Sequence, residues 1–151
     1  GLTLCDNVEK SKQIKNYPGT KVIIAGSGMM TGGRILHHAI NCLPDPKNTL
    51  VFVGYQAEGT LGRDIRTGKK EINIWGNNLE VRATIKEIKT MSSHADQAQL
   101  KAWLSKIEGV KKIYLTHGED IARLVLKKKN KNDYGDGVDV KMPNLDEEFE
   151  L

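Results

Sequence analysis

Apolar positions recur along this chain in two different periods, and the alternation between them marks out the elements. Asn7 is suited to cap a first helix that runs to about Ile14 and stops at Asn16-Tyr17-Pro18-Gly19. Lys21-Val-Ile-Ile-Ala25 is a continuous apolar run bounded by glycine, which predicts a buried strand. After the loop Gly26-Ser-Gly-Met-Met-Thr-Gly-Gly33, residues Ile35, Leu36, Ala39 and Ile40 form the stripe of a helix over Arg34–Asn41. Leu43-Pro44-Asp45-Pro46 breaks that helix, and Thr49–Val53 predicts a second buried strand, parallel to the first in a β-α-β unit.

Beyond Thr60, which opens a short helix from Leu61 to Arg66 closed by Gly68, the period changes to strict alternation. Ile72, Ile74, Leu79, Val81, Ala83 and Ile85 predict a hairpin or meander with one wet face, broken at Gly76-Asn77-Asn78. Asp96 then caps an amphipathic helix carrying Ala98, Leu100, Trp103, Leu104 and Ile107, mostly on one side. Lys112–Leu115 predicts a strand, Glu119–Lys127 a helix and Val138–Val140 a last core strand. The fold class is α/β, with a seam near Gln56–Thr67 where α/β alternation gives way to antiparallel strands.

Composition narrows this picture without changing it. At 151 residues, 38% hydrophobic and 28% charged, the chain has the make-up of an ordinary globular domain, and no apolar run approaches the ~18 residues of a membrane span. No charged-then-apolar leader opens it, so the expected location is cytoplasmic, with no membrane partner. Gly1 opens the sequence and a helix pattern starts almost at once, so we expect a piece of a longer protein. Cys5 and Cys42 lack metal or redox spacing and are expected to be free thiols. The net charge of +4 is unevenly spread, with a basic block at Lys127–Lys131 and an acidic tail at Asp146–Glu150. No aromatic residue interleaves the lysines, so the block is expected to be a solvated helix end and not a stacking surface for RNA.

Two histidines carry the chemistry. His94, in Ser92-Ser93-His94-Ala95-Asp96, and His117, in Leu115-Thr116-His117-Gly118-Glu119, each sit where an apolar stretch reaches a polar turn. Imidazole is the commonest metal ligand and titrates nearest neutral pH, so the pair points to metal-assisted hydrolysis. Locally, His94 also suits a helix-entry residue bonded to its neighbours. The adjacent His37 and His38 point to different helix faces and read as surface or core-edge residues; Met29 and Met30 read as packing.

The glycine loop joins a predicted strand to a helix, which exposes backbone N–H groups beside the positive end of the helix dipole. It suits either a tight packing turn or an anion site. A dinucleotide fingerprint would end the second strand in an acid, yet Val51–Gln56 has none, and no Gly-Lys-Ser/Thr follows for a phosphate loop of the ATPase kind.

Taken in order, Ala25-Gly-Ser-Gly-Met-Met-Thr-Gly-Gly33, Leu43-Pro-Asp-Pro-Lys-Asn-Thr49, Phe52-Val-Gly-Tyr-Gln-Ala-Glu-Gly-Thr-Leu-Gly-Arg63, Ser93-His-Ala-Asp96 and Leu115-Thr-His-Gly-Glu119 resemble the C-terminal half of the metallo-β-lactamase/β-CASP RNA nucleases. The resemblance runs from about Val22 to Leu126 and is nearest the prokaryotic relatives of the pre-mRNA 3′-end cleavage subunit. It implies that residues 1–58 are the C-terminal part of a β-CASP domain holding the β-α-β unit. Residues 59–151 would be the RNA-metabolising C-terminal strands and helices of a metallo-β-lactamase domain.

By the same resemblance His94 is a general acid for the departing oxygen, His117 a zinc ligand, and Ser93, Asp96 and Glu119 their supports. From the loop's exposed amides, and not from the resemblance, Ser27, Gly28, Met29, Thr31, Gly32 and Gly33 are expected to hold a substrate phosphate. RNA is the implied partner, zinc the implied cofactor of the complete enzyme, and a homodimer its implied assembly.

The sequence also departs from the family. The zinc motif His-x-His-x-Asp-His is not in it, Gly26 stands where relatives often carry Ser, and Met91-Ser92 where many carry Phe-Ser. The isolated chain is therefore expected to hold no stable zinc and to be inactive. The competing expectation is a non-catalytic RNA-binding or interaction module on the same scaffold; a Rossmann nucleotide-binding domain ranks third because the ribose acid is missing.

Overall fold

The computed structural model describes residues 1–91 and 94–149. They divide into two compact units, residues 1–91 and residues 94–149. Among them no helix is long and apolar enough to cross a membrane.

In the first unit, α1 (Val8–Gln13) opens at Asn7, whose side chain accepts from the Lys10 amide. After a 3-10 turn at Ile14–Asn16 comes α2 (Arg34–Cys42), which buries Leu36 and Ala39. β1 (Thr49–Phe52) follows, then α3 (Leu61–Arg66), capped by the Thr60 hydroxyl. β2 (Glu71–Ile74) and β3 (Asn77–Glu80) form an antiparallel hairpin, and β4 (Thr84–Glu87) pairs with β1 in parallel. The core gathers Met30, Leu36, Ala39, Leu43, Phe52, Ile65, Ile72, Ile74, Val81 and Ala83.

The strand expected at Lys21–Ala25 does not form. The segment has no regular structure, and Val22 and Ile24 are 88% and 91% exposed. Apolar composition predicts a strand's side chains but not its partner, and β1 is instead paired with β4. The β-α-β crossover thus exists one step later than expected: β1, α3, the inserted hairpin, then β4. What delivers β4 to β1 is backbone bonding at the bend before it. The amides of Arg82 and Ala83 both donate to the Leu43 carbonyl at 2.9 Å, and the Thr84 amide to the Asn48 carbonyl at 2.9 Å. Of the expected hairpin or meander, the hairpin β2–β3 forms, and the antiparallel pairing does not continue into β4.

The hairpin turn also lies earlier than the expected break at Gly76-Asn77-Asn78. Trp75 and Gly76 occupy it with φ of 51° and 82°, the double left-handed step of a two-residue type I′ turn, and Asn77 and Asn78 are already in β3.

The second unit holds α4 (Gln97–Leu104), β5 (Lys112–Tyr114), α5 (Asp120–Tyr134) and β6 (Asp139–Lys141), the strands pairing in parallel as a β-α-β unit. Ile113, Val138 and Val140 form its core, with Leu104, Val110, Leu115 and Tyr134 packed against them. Of the apolar residues expected on one side of α4, Leu104 turns to this core, whereas Leu100 and Trp103 are exposed. The expected helix Glu119–Lys127 is longer, because lysine is a good helix former and nothing stops the chain before Gly135, whose φ is 64°. Lys127–Lys131 therefore lie inside α5 and not at its end.

Candidate functional site

The glycine loop is built inward from its own backbone. The Ser27 amide donates to the Gly32 carbonyl at 3.4 Å, the Met30 amide to Ser27 at 3.1 Å and the Ile35 amide to Gly26 at 3.2 Å. Met30, with φ of 57°, drives its side chain into the core and anchors the loop there. The Ser27 and Thr31 hydroxyls lie 2.9 Å apart. Gly33 caps α2, and among the described residues no acceptor is matched to the amides of Gly28, Met29, Thr31, Gly32 or Gly33. Unmatched amides at the start of a nine-residue helix suit an anion. The guanidinium of Arg34, the first residue of α2, donates to the Cys5 carbonyl at 2.5 Å.

The inner side of the loop rests on Gln56, which is completely buried. Its Nε2 lies 3.0 Å from each of the carbonyl oxygens of Gly28, Gly54 and Tyr55. Its Oε1 is buried, has no hydrogen-bond partner among the described residues, and faces Gly62. The Gly62 amide in turn donates to the Met29 carbonyl at 3.1 Å.

The two remaining histidines of the first unit turn elsewhere. The His37 ring packs against Trp75 with centroids 4.5 Å apart and the planes tilted by 59°, and His38 Nε2 meets the Ser11 hydroxyl at 3.0 Å. Burial, then the neighbouring His37 and Arg34, hold His38 below the usual histidine range. Burial pushes the Cys42 thiol up, and both cysteines are free.

His94 and His117 belong to the second unit, each just before one of its two helices. His94 is exposed and precedes Asp96, which closes a capping box: Asp96 accepts from the Gln99 amide at 2.8 Å, and Gln99 Oε1 accepts from the Asp96 amide at 2.9 Å. The box fixes where α4 begins and so where His94 stands. Ser93 lies outside the described residues. His117 follows β5, whose pairing is extended by the Leu115 amide bonding to the Lys141 carbonyl at 2.9 Å. His117 and Gly118 have φ of 62° and 82°, and this left-handed step presents the exposed imidazole before Glu119, the residue that caps α5. The glycine loop and these histidines are in different units.

A hydrolytic zinc takes about three protein ligands. Among the described residues, no three His, Cys, Asp or Glu come together as a metal site. The residues present therefore do not fit zinc by themselves, and His117 can supply one ligand at most to a site completed by other residues.

Residues 1–65 match the β-CASP domain, and residues 78–143 match the Zn-dependent metallo-hydrolase RNA specificity domain. The chain belongs to the β-CASP metallo-β-lactamase family. It is similar to ribonuclease TTHA0252 of Thermus thermophilus, 42% identical over 128 residues, which are 85% of this chain and 29% of that protein. It is likewise similar to transcription termination factor FttA of Methanosarcina mazei, 37% identical over 134 residues, 82% of this chain and 21% of that factor. An RNase J-like protein of Methanocaldococcus jannaschii is 41% identical over 98 residues, 65% of this chain and 23% of its own length. The chain thus spans less than a third of each of these relatives.

Sequence reasoning placed the loop and both histidines but missed Gln56. No cap, period or glycine step in Phe52-Val-Gly-Tyr-Gln-Ala-Glu-Gly marks this glutamine, because one of the carbonyls it serves, that of Gly28, is 28 residues away.

Proposed function

We propose that this chain is the substrate-holding and proton-donating portion of a metal-dependent ribonuclease that hydrolyses phosphodiester bonds in RNA. The observation that carries this reading is the paired placement of His94 and His117 ahead of α4 and α5 in a chain of this family. Supporting it, one relative is named a ribonuclease, and the second domain is described as conferring RNA specificity. In the complete enzyme zinc is the cofactor and His117 one of its ligands. The division into a β-CASP part over residues 1–58 and an RNA-metabolising part over residues 59–151 belongs to the same proposal.

The chemistry assigned to this chain is proton delivery and binding. As hydroxide adds to phosphorus and the P–O bond to the leaving nucleoside breaks, the protonated imidazole of His94 gives its proton to the departing oxygen. Asp96 and Gln99 hold the helix entry that carries it. The unmatched amides of the loop, at Gly28, Met29, Thr31, Gly32 and Gly33, hold a phosphate of the RNA.

The test is His94→Ala in the complete enzyme, assayed on ordinary RNA and on a substrate whose leaving group needs no proton. The expected loss in kcat on RNA is about 10²–10⁴-fold, with most of it recovered on the activated substrate. Equal slowing of both substrates refutes the general-acid role, and RNA binding without turnover in the unmutated complete protein supports a non-catalytic module instead.

A further inference from the structure

We propose that Gln56 is a positioning residue for RNA: by drawing one carbonyl of the glycine loop inward it turns the Met29 amide outward as a phosphate donor. Its role depends on the loop taking a phosphate, as proposed above. Gln56 is fully buried, and its Nε2 lies 3.0 Å from the carbonyl oxygens of Gly28, Gly54 and Tyr55. A carboxamide placed the other way would set an oxygen against these acceptors, so the donor end must face them. The Gly28 oxygen is thereby held on the inner side. The Gly28–Met29 peptide is trans, and a planar trans unit points its N–H opposite to its C=O. With Gly28 C=O fixed inward, the Met29 N–H is directed away from Gln56.

The next carbonyl is held inward as well. Met29 O accepts from the Gly62 amide at 3.1 Å, and a Cβ on Gly62 would stand 2.9 Å from that oxygen and 1.9 Å from Gln56 Oε1. Only glycine leaves room for the carboxamide and the loop together. Arg63 completes the support by donating to the Gln56 carbonyl at 3.2 Å.

Among the described residues Oε1 has no hydrogen-bond partner, so the polar work of the carboxamide is done by its Nε2 end on the Gly28, Gly54 and Tyr55 carbonyls.

The experiment uses the complete protein and a single-stranded RNA oligonucleotide. Gln56→Met, which removes the donor, and Gly62→Ala, which displaces the carboxamide, are each expected to raise the RNA Kd and KM about tenfold. Zinc content should hold, and kcat at saturating RNA should stay within about twofold, the signature of lost binding that is equal in ground and transition states. A merely structural lock predicts fewer active molecules, hence a lower apparent kcat at unchanged KM, and that result overturns the proposal.

Hydrogen exchange on the unmutated protein tests it without relying on a variant that folds. The Met29 amide should become protected when the RNA is added, and absence of protection overturns the proposal. Gly32→Asp separates the two levels. If it weakens RNA binding while the Gln56 and Gly62 variants do not, the positioning role fails and the loop site stands; if Gly32→Asp leaves affinity unchanged and Met29 unprotected, the loop site itself fails.

Discussion

A Cβ on Gly33 would stand 2.8 Å from the carbonyl oxygen of Gly26, on the opposite arm of the same loop. Gly33 also has φ of 76° and ψ of −173°, a region essentially reserved for glycine. Gly33→Ala should therefore lower stability by about 1–3 kcal/mol from backbone strain alone, and further from the clash. Urea unfolding measures it. Gly32→Ala is the control: nothing lies within 4 Å of its Cβ position, so it should change stability by less than about 0.5 kcal/mol.

The same open space makes Gly32→Asp a test of charge and not of shape. A carboxylate there should oppose a bound phosphate and raise the RNA Kd of the complete protein at low salt, with the penalty shrinking as salt screens it. A fluorescence titration at two ionic strengths checks this. Unchanged affinity in a folded variant favours the loop as a tight packing turn.

His117→Ala in the complete enzyme should lower zinc content together with rate, because a metal ligand is removed. His94→Ala should leave most of the zinc in place. Metal analysis after dialysis distinguishes them, and equal zinc loss in both variants would make His94 a ligand or a structural residue.

His38 sets a pH dependence of stability. Its folded pKa lies below the ordinary 6.5, so the unfolded chain binds more protons. The stability it contributes is present above about pH 6.5 and is lost as pH falls through that value toward the folded pKa. His38→Gln should flatten the fall in the urea midpoint between about pH 7 and pH 5. An identical slope in the variant refutes the assignment.

Arg66 joins α3 to β4 through Glu87 at 2.9 Å, with both side chains about three-quarters covered. Arg66→Ala should cost roughly 1 kcal/mol, toward the top of the range for partly exposed pairs, and should lose much of that cost in high salt. Urea unfolding at low and high salt provides the check.

The features legible in the sequence were the locally determined ones. Asn7, Thr60 and Asp96 each bond to an amide three residues on, so a cap needs only its own neighbourhood to be recognised. His94 and His117 stand out in the sequence for the same reason, each marked by an adjoining cap or glycine. Lys21–Ala25 misled because its apolar residues do not specify which strand lies beside them. The choice of β4 for β1 depends on the Leu43 carbonyl accepting from Arg82 and Ala83, a meeting of distant residues that no period encodes. Gln56 was missed on similar grounds, since Gly28 reaches it only through the folded loop.

The parallel pairing of Thr49 with Thr84 also imposes an order on biosynthesis. As the chain leaves the ribosome, α2, α3 and the β2–β3 hairpin can close from residues near at hand, while β1 waits with an open edge for a strand not yet made. Long-range pairing of this kind is slow and leaves sticky intermediates. A chain interrupted before Thr84 lacks the strand that pairs with β1, and offers that bare edge to whatever strand it meets first.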